Sequence, residues 1–158
     1  MHGAMTDLHG VLTQASVVAL VDWPRADVPR TLVRAGFGVY SLNRLRGTAA
    51  SYAWYPSREG IPGGDDVTVF EPAEEADGYL VCRPAAAPAT VDILTVYRPA
   101  GELPGLARLA VQLGARALWL EPGSVSPEAR EIAEGGGLAF IEGVDIAEAV
   151  RSAGIPLR

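Results

Sequence analysis

A short loop after the first apolar run of this sequence carries side chains suited to binding a phosphorylated, aromatic ligand. The run, residues 17–21, is followed by Asp22, Trp23, Pro24 and Arg25. The Trp23 ring could stack on an adenine while the Arg25 guanidinium meets a phosphate. Alternatively, Trp23 covers the core and Arg25 is a solvated charge. The absence of a glycine favours this alternative, because a phosphate approaches backbone N–H groups most closely at glycine.

Polar side chains also follow the next two strongly apolar runs. Asn43 ends the second run and could hydrogen-bond a ribose, although asparagine is equally typical of a turn. It is followed by a second cation, Arg44. Arg98 and Pro99 follow the third run, at the carboxyl end of a strand that should be central, where ligand contacts are common. The competing interpretation is that the proline only holds the loop before the next helix.

Motifs for catalysis or metal binding are not evident. Both histidines, His2 and His9, lie in the first ten residues, and the chain has no lysine, so neither a nucleophile–His–acid set nor a Walker motif is present. The single cysteine, Cys82, excludes an intramolecular disulfide, and a buried cysteine usually acts as a small apolar residue. Glu142 and Glu148 could pair for acid–base chemistry, but solvated or capping roles suit them better. We therefore expect neither an enzyme nor a metal protein.

Composition and net charge further restrict the kinds of protein that this chain can be. The chain has 158 residues, of which 49% are apolar, so one domain with a real core is expected. The net charge of -6 argues against wrapping a nucleic-acid backbone, while leaving room for a local basic patch. No apolar run approaches the ~20 residues that span a bilayer, and the first residues do not resemble a signal peptide. We expect a cytoplasmic monomer or homodimer without nucleic-acid or membrane partners.

Helical and strand patterns alternate on both sides of an irregular middle segment. Before that segment we predict a helix from Thr6 or Asp7 to Ala15, a strand, a helix capped by Asp27, and a second strand at 38–42. After it, the predicted strands are 91–96, 117–120 and 138–141, and the predicted helices are 101–113, 126 to the glycines at 135–137, and 145–152. This alternation predicts an α/β fold with a mostly parallel sheet of about five strands.

The middle segment, residues 44–90, is predicted to be irregular. Two short strand candidates, 67–70 and 79–82, fit either a β-hairpin or a strand plus a surface excursion. Residues 83–88 are predicted to be a linker because their prolines preclude a helix. The segment also contains an aromatic cluster, formed by Tyr52, Trp54 and Tyr55. Its default role is core packing, with covering the ligand crevice and a dimer contact as alternatives.

Four groups of residues together match the pattern of a known family. They are Asn43 after the second strand, Arg98-Pro99 after the next long apolar strand, residues 117–120 running into Glu121-Pro122-Gly123, and Glu142, Val144 and Glu148 near the end. On these residues the chain resembles the stand-alone bacterial CoA-binding domain proteins, with Glu121 in place of a glutamine, Glu142 in place of an aspartate and Val144 in place of a cysteine. The resemblance covers the chain except for an insert at roughly 56–90. It implies a single Rossmann-like domain over 1–158, built as a three-layer sandwich.

The resemblance implies a non-catalytic module that binds CoA, acyl-CoA or a related adenine nucleotide. Its ligand site would comprise Asp22, Trp23, Pro24, Arg25, Asn43, Arg44, Arg98, Pro99, Glu121 and Gly123. The family's Gly-Ala-Ser phosphate loop is replaced by Val21-Asp22-Trp23, where the Asp22 carboxylate would repel a pyrophosphate. The alternative is therefore a ligand-free scaffold that serves as a structural or protein-interaction domain.

Overall fold

The fold is an open sheet with helices on both faces. The computed structural model describes residues 7–23, 25–44, 46–72 and 78–154. Within these residues the strands are β1 (Val17–Val21), β2 (Gly38–Asn43), β3 (Thr48–Tyr55), β4 (Thr68–Phe70), β5 (Tyr79–Ala85), β6 (Ile93–Val96), β7 (Ala117–Leu120) and β8 (Ala139–Ile141). The helices are α1 (Leu8–Gln14), α2 (Asp27–Arg34), α3 (Leu103–Gln112), α4 (Pro127–Gly135) and α5 (Ile146–Ser152), with a 3-10 turn at Ala100–Glu102.

All eight strands form one sheet in the order β4-β5-β3-β2-β1-β6-β7-β8. The five strands from β2 to β8 in that order are parallel, as the valine-rich, doubly buried runs predicted. If these five strands alone are numbered in chain order, their order in the sheet is 2-1-3-4-5, which is that of a common doubly wound fold. The point at which the strand order reverses then lies between β1 and β6. The Rossmann-like α/β class is confirmed. The count of about five strands is too low, because three antiparallel strands extend the sheet beyond β2.

The added strands lie where the sequence predicted irregular chain. Most side chains of β3 are half-buried, so the strand lacks the continuous apolar run that marks β1 or β6. Strand β5 extends through Pro84, inside the predicted linker. Pro84 is tolerated because β4 pairs with β5 only as far as Cys82, so the proline lies on an edge and removes no ladder hydrogen bond there. Strands β4 and β5 pair antiparallel, as the hairpin alternative required.

Two cores, one on each face of the sheet, hold the helices. Buried residues of α1, α2 and α5 pack with one set of strand side chains, and buried residues of α3 and α4 pack with the other. Trp119 is fully buried in the first core, and its Nε1 donates to the Val144 carbonyl oxygen over 2.8 Å. The parallel part of the sheet is therefore covered on both faces, and the ends of its strands are places where a ligand can reach it.

Helix starts follow the capping signals with one exception. Ser126 caps α4 and Asp145 caps α5, each through its side chain. At α2 the prediction that Asp27 is the cap is wrong, since the N-cap is Ala26 and no side chain caps that end. Asp27 is instead the first helical residue, where a carboxylate still favours the helix dipole. Within the described residues, no helix combines the length and apolar character that crossing a bilayer requires.

Candidate functional site

Three strand ends meet at a cleft beside the switch point. The cavity has a volume of about 530 Å³ and is lined by Asp22, Asn43, Arg44, Arg98 and Glu102. Asp22 follows β1, Asn43 and Arg44 stand at the end of β2, Arg98 follows β6, and Glu102 ends the 3-10 turn before α3. We call this cavity the strand-end cleft. Parallel strands place their carboxyl ends at one edge, so residues far apart in sequence come together there.

Arginines from two strands converge on one carboxylate in the cleft. Arg98 binds Glu102 in a bidentate manner, with its Nε 3.1 Å from Oε1 and its Nη2 2.9 Å from Oε2. The Arg44 guanidinium also donates to Glu102 Oε1, and its Nε lies 3.2 Å from Asp22 Oδ2. Hydrogen bonds from Arg98 and then Arg44 lower the pKa of Glu102 to about 2. Two carboxylates thus neutralise the two cations that a phosphate would need.

Asp22 has an unusual backbone conformation that ties the first loop to β2. Its φ of 45° is the only positive value among the described non-glycine residues. Aspartate tolerates this left-handed region better than a branched side chain would. Its N–H donates to the Leu42 carbonyl oxygen over 3.0 Å, and its Oδ1 accepts from the Arg44 N–H over 3.2 Å. The carboxylate that should repel a pyrophosphate is therefore held by a neighbouring arginine.

Aromatic and charged side chains lie on the α2 side of the same edge. The Trp23 ring is buried in the core beneath α2, with its centroid 6.2 Å from that of Tyr97. The Arg25 guanidinium lies 5.8 Å from the centre of the Tyr97 ring and 3.6 Å from Glu121 Oε1. Trp23 consequently offers little free face for stacking on a base. Tyr97 is more exposed and is the more accessible ring at this edge.

Three buried polar atoms at this edge have no hydrogen-bond partner among the described residues. They are Trp23 Nε1, Thr95 Oγ1 and Glu121 Oε2, which belong to the side chains that we call the polar cluster. Burial, and then the charge of Asp145, raises the pKa of Glu121, while Arg25 opposes the shift. Buried polar groups without partners are rare, so a group of three calls for an explanation.

The remaining predicted site residues have mainly structural contacts. Asn43 Oδ1 accepts from the Arg46 N–H over 3.1 Å, which is a turn contact, although Asn43 also lines the cleft. Pro99 precedes the 3-10 turn. Gly123 has a φ of 96°, a conformation that favours glycine, and a side chain there would otherwise meet open space. Pro24 lies outside the described residues.

Some residues that the sequence suggested for chemistry lie away from the strand-end cleft, and the sequence did not predict every residue that lines it. Cys82 lies opposite Tyr52 in the β3–β5 pair, and burial raises the pKa of its thiol. Glu142 pairs with Arg130. No set of His, Cys, Asp and Glu side chains in the described part of the chain could hold a metal ion. Glu102 was not predicted, although its spacing of four from Arg98 is a signal for an ion pair on a helical turn.

Solved structures share this architecture at low sequence identity. A hypothetical protein from Pyrococcus horikoshii has 16% identity and a TM-score of 0.64, covering 97% of this chain and 99% of its own. A protein from Thermus thermophilus has 21% identity and a TM-score of 0.59, with coverages of 93% and 96%. A protein described as redesigned for binding has 15% identity and a TM-score of 0.63, with coverages of 95% and 93%. These likenesses establish the fold alone.

The sequence comparison with family models is more specific. The model described as "CoA binding domain" matches residues 22–145, which include the strand-end cleft and the polar cluster. A comparison with curated proteins gave no match. The matched stretch begins at the loop after β1 and ends at the residue that caps α5. Because it spans well over half of the sequence, the chain belongs to the CoA-binding domain family.

Proposed function

We propose that this chain is a non-catalytic binding module for CoA, acyl-CoA or a related adenine nucleotide. The observation that carries the proposal is the convergence of Arg44 and Arg98 on one carboxylate inside the strand-end cleft. Guanidinium groups bind phosphate in the same forked geometry that they use for carboxylate. In this proposal Glu102 occupies the arginines in the ligand-free protein, and a ligand phosphate replaces it.

The exchange is favourable because a phosphate offers more oxygens and more charge than a carboxylate. A pyrophosphate can accept from both arginines at once, whereas Glu102 must share its two oxygens between them. Helix α2 adds N–H donors at the same edge, since no side chain caps its first turn. Asp22 and Asp27 oppose the anion, so we expect weaker binding than a glycine-rich phosphate loop would give.

A non-catalytic role is supported by the chemistry of the cleft. Its carboxylates are paired with arginines, and its remaining polar side chain is the amide of Asn43. Among the described residues, no side chain lining the cleft carries a hydroxyl, thiol or imidazole that a neighbouring base could activate. The groups present can hold and orient an anion, and we assign them no catalytic step.

Calorimetric titration with CoA, acetyl-CoA and ADP tests the proposal. We expect the wild-type protein to bind CoA, and Arg44→Gln and Arg98→Gln each to weaken binding by roughly tenfold or more, because charge-assisted hydrogen bonds are lost. Arg108→Gln is the matched control, since Arg108 forms an exposed ion pair with Glu128 and does not line the cleft. An equal loss of affinity in all three variants would point to net charge instead of a site.

The alternative of a ligand-free scaffold is favoured by one observation, the complete pairing of the cleft arginines by Asp22 and Glu102. The variant Asp22→Gly distinguishes a CoA-binding module from a ligand-free scaffold. Glycine accepts the φ of 45° at this position, so the variant should fold, and it removes one charge that opposes a phosphate. Improved CoA affinity would support a binding site, whereas no response to CoA in either protein would support the scaffold.

A further inference from the structure

The polar cluster combines three orphaned groups that lie on one face of the sheet. Thr95 is fully buried, while Trp23 and Glu121 are each 9% exposed. In the sheet register Thr95 lies opposite Trp119, and Glu121 follows Trp119 by two residues on the same face. Thr95 on β6 and Glu121, the residue that follows β7, are therefore diagonal neighbours on one face of the sheet.

Tyr97 and Arg25 link Trp23 indirectly to the other two residues of the polar cluster. The Trp23 ring lies 6.2 Å, centroid to centroid, from the ring of Tyr97, which follows Thr95 by two residues just beyond the end of β6. Arg25 lies near both Tyr97 and Glu121 Oε1. Only one carboxylate oxygen of Glu121 is thereby used, and the buried oxygen Oε2 is left without a partner among the described residues.

The chemistry of these groups specifies what could satisfy them. The indole N–H only donates, a threonine hydroxyl both donates and accepts, and a carboxylate oxygen only accepts. A group that lies between them must accept from Trp23 and donate to Glu121. A hydroxyl or an amide does both, whereas a phosphate has no proton to offer Glu121 and would be repelled by its charge. Leaving all three groups unpaired in the bound state would be costly.

We propose that the polar cluster is a second subsite of this edge, which binds a neutral hydroxyl or amide group of the ligand. This inference rests on the proposed function, in which Arg44 and Arg98 bind the phosphates. CoA offers such groups in two places, the ribose hydroxyls of its nucleotide and the hydroxyl and amides of its pantetheine arm. The phosphate contacts then fix the charged centre of the ligand, and the polar cluster selects for a hydrogen-bonding group beside it.

The test uses Thr95→Val and Trp23→Phe, with calorimetry against CoA, ADP, pantetheine and inorganic pyrophosphate. Each substitution removes one hydrogen-bonding group, so we expect a three- to tenfold loss of CoA affinity with pyrophosphate affinity unchanged. An equal loss for ADP would assign the neutral group to the ribose. A loss for pantetheine but not for ADP would assign it to the pantetheine arm. Thr68→Val on the exposed edge strand β4 is the matched control.

The ligand-free variants provide a second readout. Since the Thr95 hydroxyl has no hydrogen-bond partner in the described part of the chain, Thr95→Val should leave the melting temperature unchanged or raised. A lowered melting temperature together with unchanged CoA and ADP affinities would mean that a buried water alone satisfies the cluster, which overturns the subsite.

The two proposals can fail separately. Pyrophosphate and CoA binding that both variants leave intact would overturn the subsite and leave the phosphate site standing. Binding of pantetheine without binding of pyrophosphate, with pantetheine affinity reduced in Thr95→Val, would overturn the phosphate site and retain the subsite. A wild-type protein that binds none of the four probes would overturn both.

Discussion

Replacing Glu102 with glutamine should strengthen the binding of phosphorylated ligands. The substitution keeps the shape of the side chain and removes the charge that holds Arg44 and Arg98. One unit charge about 4 Å from a bound phosphate changes affinity about fivefold in bulk water, and by more where the protein excludes solvent. All three side chains are about one-third exposed, so we expect a gain near the lower end, roughly five- to twentyfold.

Calorimetry with pyrophosphate and ADP measures this gain. It should be larger at about 0.02 M salt than at about 0.2 M salt, because screening weakens the repulsion that the substitution relieves. Glu128→Gln is the matched control, because it removes the same charge from the exposed ion pair with Arg108. An affinity for Glu102→Gln no higher than that of Glu128→Gln would refute the idea that Glu102 competes with the ligand.

The acid stability of the same variant gives an independent check. Since the folded pKa of Glu102 is about 2, below its ordinary value, its pairing stabilises the protein above about pH 4.5. That contribution is lost as the pH falls from there through about 2. Glu102→Gln should therefore lose less stability than the wild type across this window, as measured by denaturant unfolding. A decline as steep as that of the wild type would contradict the pairing.

Three further substitutions probe the fold and the edge of the sheet. Burial raises the pKa of Glu121 in the folded protein, so ionisation of Glu121 destabilises the fold as the pH rises through that pKa. Glu121→Gln should therefore be more stable than the wild type towards urea at about pH 7, and similar to it at about pH 4. Asp92→Ala should lower the free energy of unfolding by about 1–3 kcal/mol, because two N–H groups at the entry to β1 lose their 2.7 and 2.9 Å bonds to its carboxylate. Gly78→Ala would place a Cβ 2.4 Å from the Trp54 ring at a φ of 79°, so its melting temperature should fall well below that of Gly63→Ala, where the space is open.

The parallel half of the fold was predictable from local sequence patterns. Strands that are buried on both faces need mostly apolar side chains; the runs at β1 and β7 are wholly apolar, and β6 has a single threonine. Caps such as Ser126 and Asp145 act within three residues of their own position, so the sequence predicts them directly. Strand β3 escaped prediction because its partly exposed faces carry no comparable signal.

The cleft was predictable only in part. Strand ends mark where ligands bind, and this placed Asp22, Asn43 and Arg98 at one edge. The pairing of Arg44 with Glu102, across 58 residues of sequence, depends on how β2 and α3 are brought together by the sheet. Orphaned atoms such as Thr95 Oγ1 can be recognised only when every neighbour is known, since an apolar strand with one threonine looks ordinary in sequence.

Native mass spectrometry of the protein with added CoA shows whether the arginines of the strand-end cleft bind CoA. We expect a one-to-one CoA complex for the wild type and for Arg108→Gln, and its loss or marked reduction in Arg44→Gln and Arg98→Gln. A CoA complex that persists unchanged in both cleft variants would show that the phosphates bind elsewhere. The absence of any complex with CoA, acetyl-CoA or ADP in the wild type would contradict the binding function and favour the scaffold.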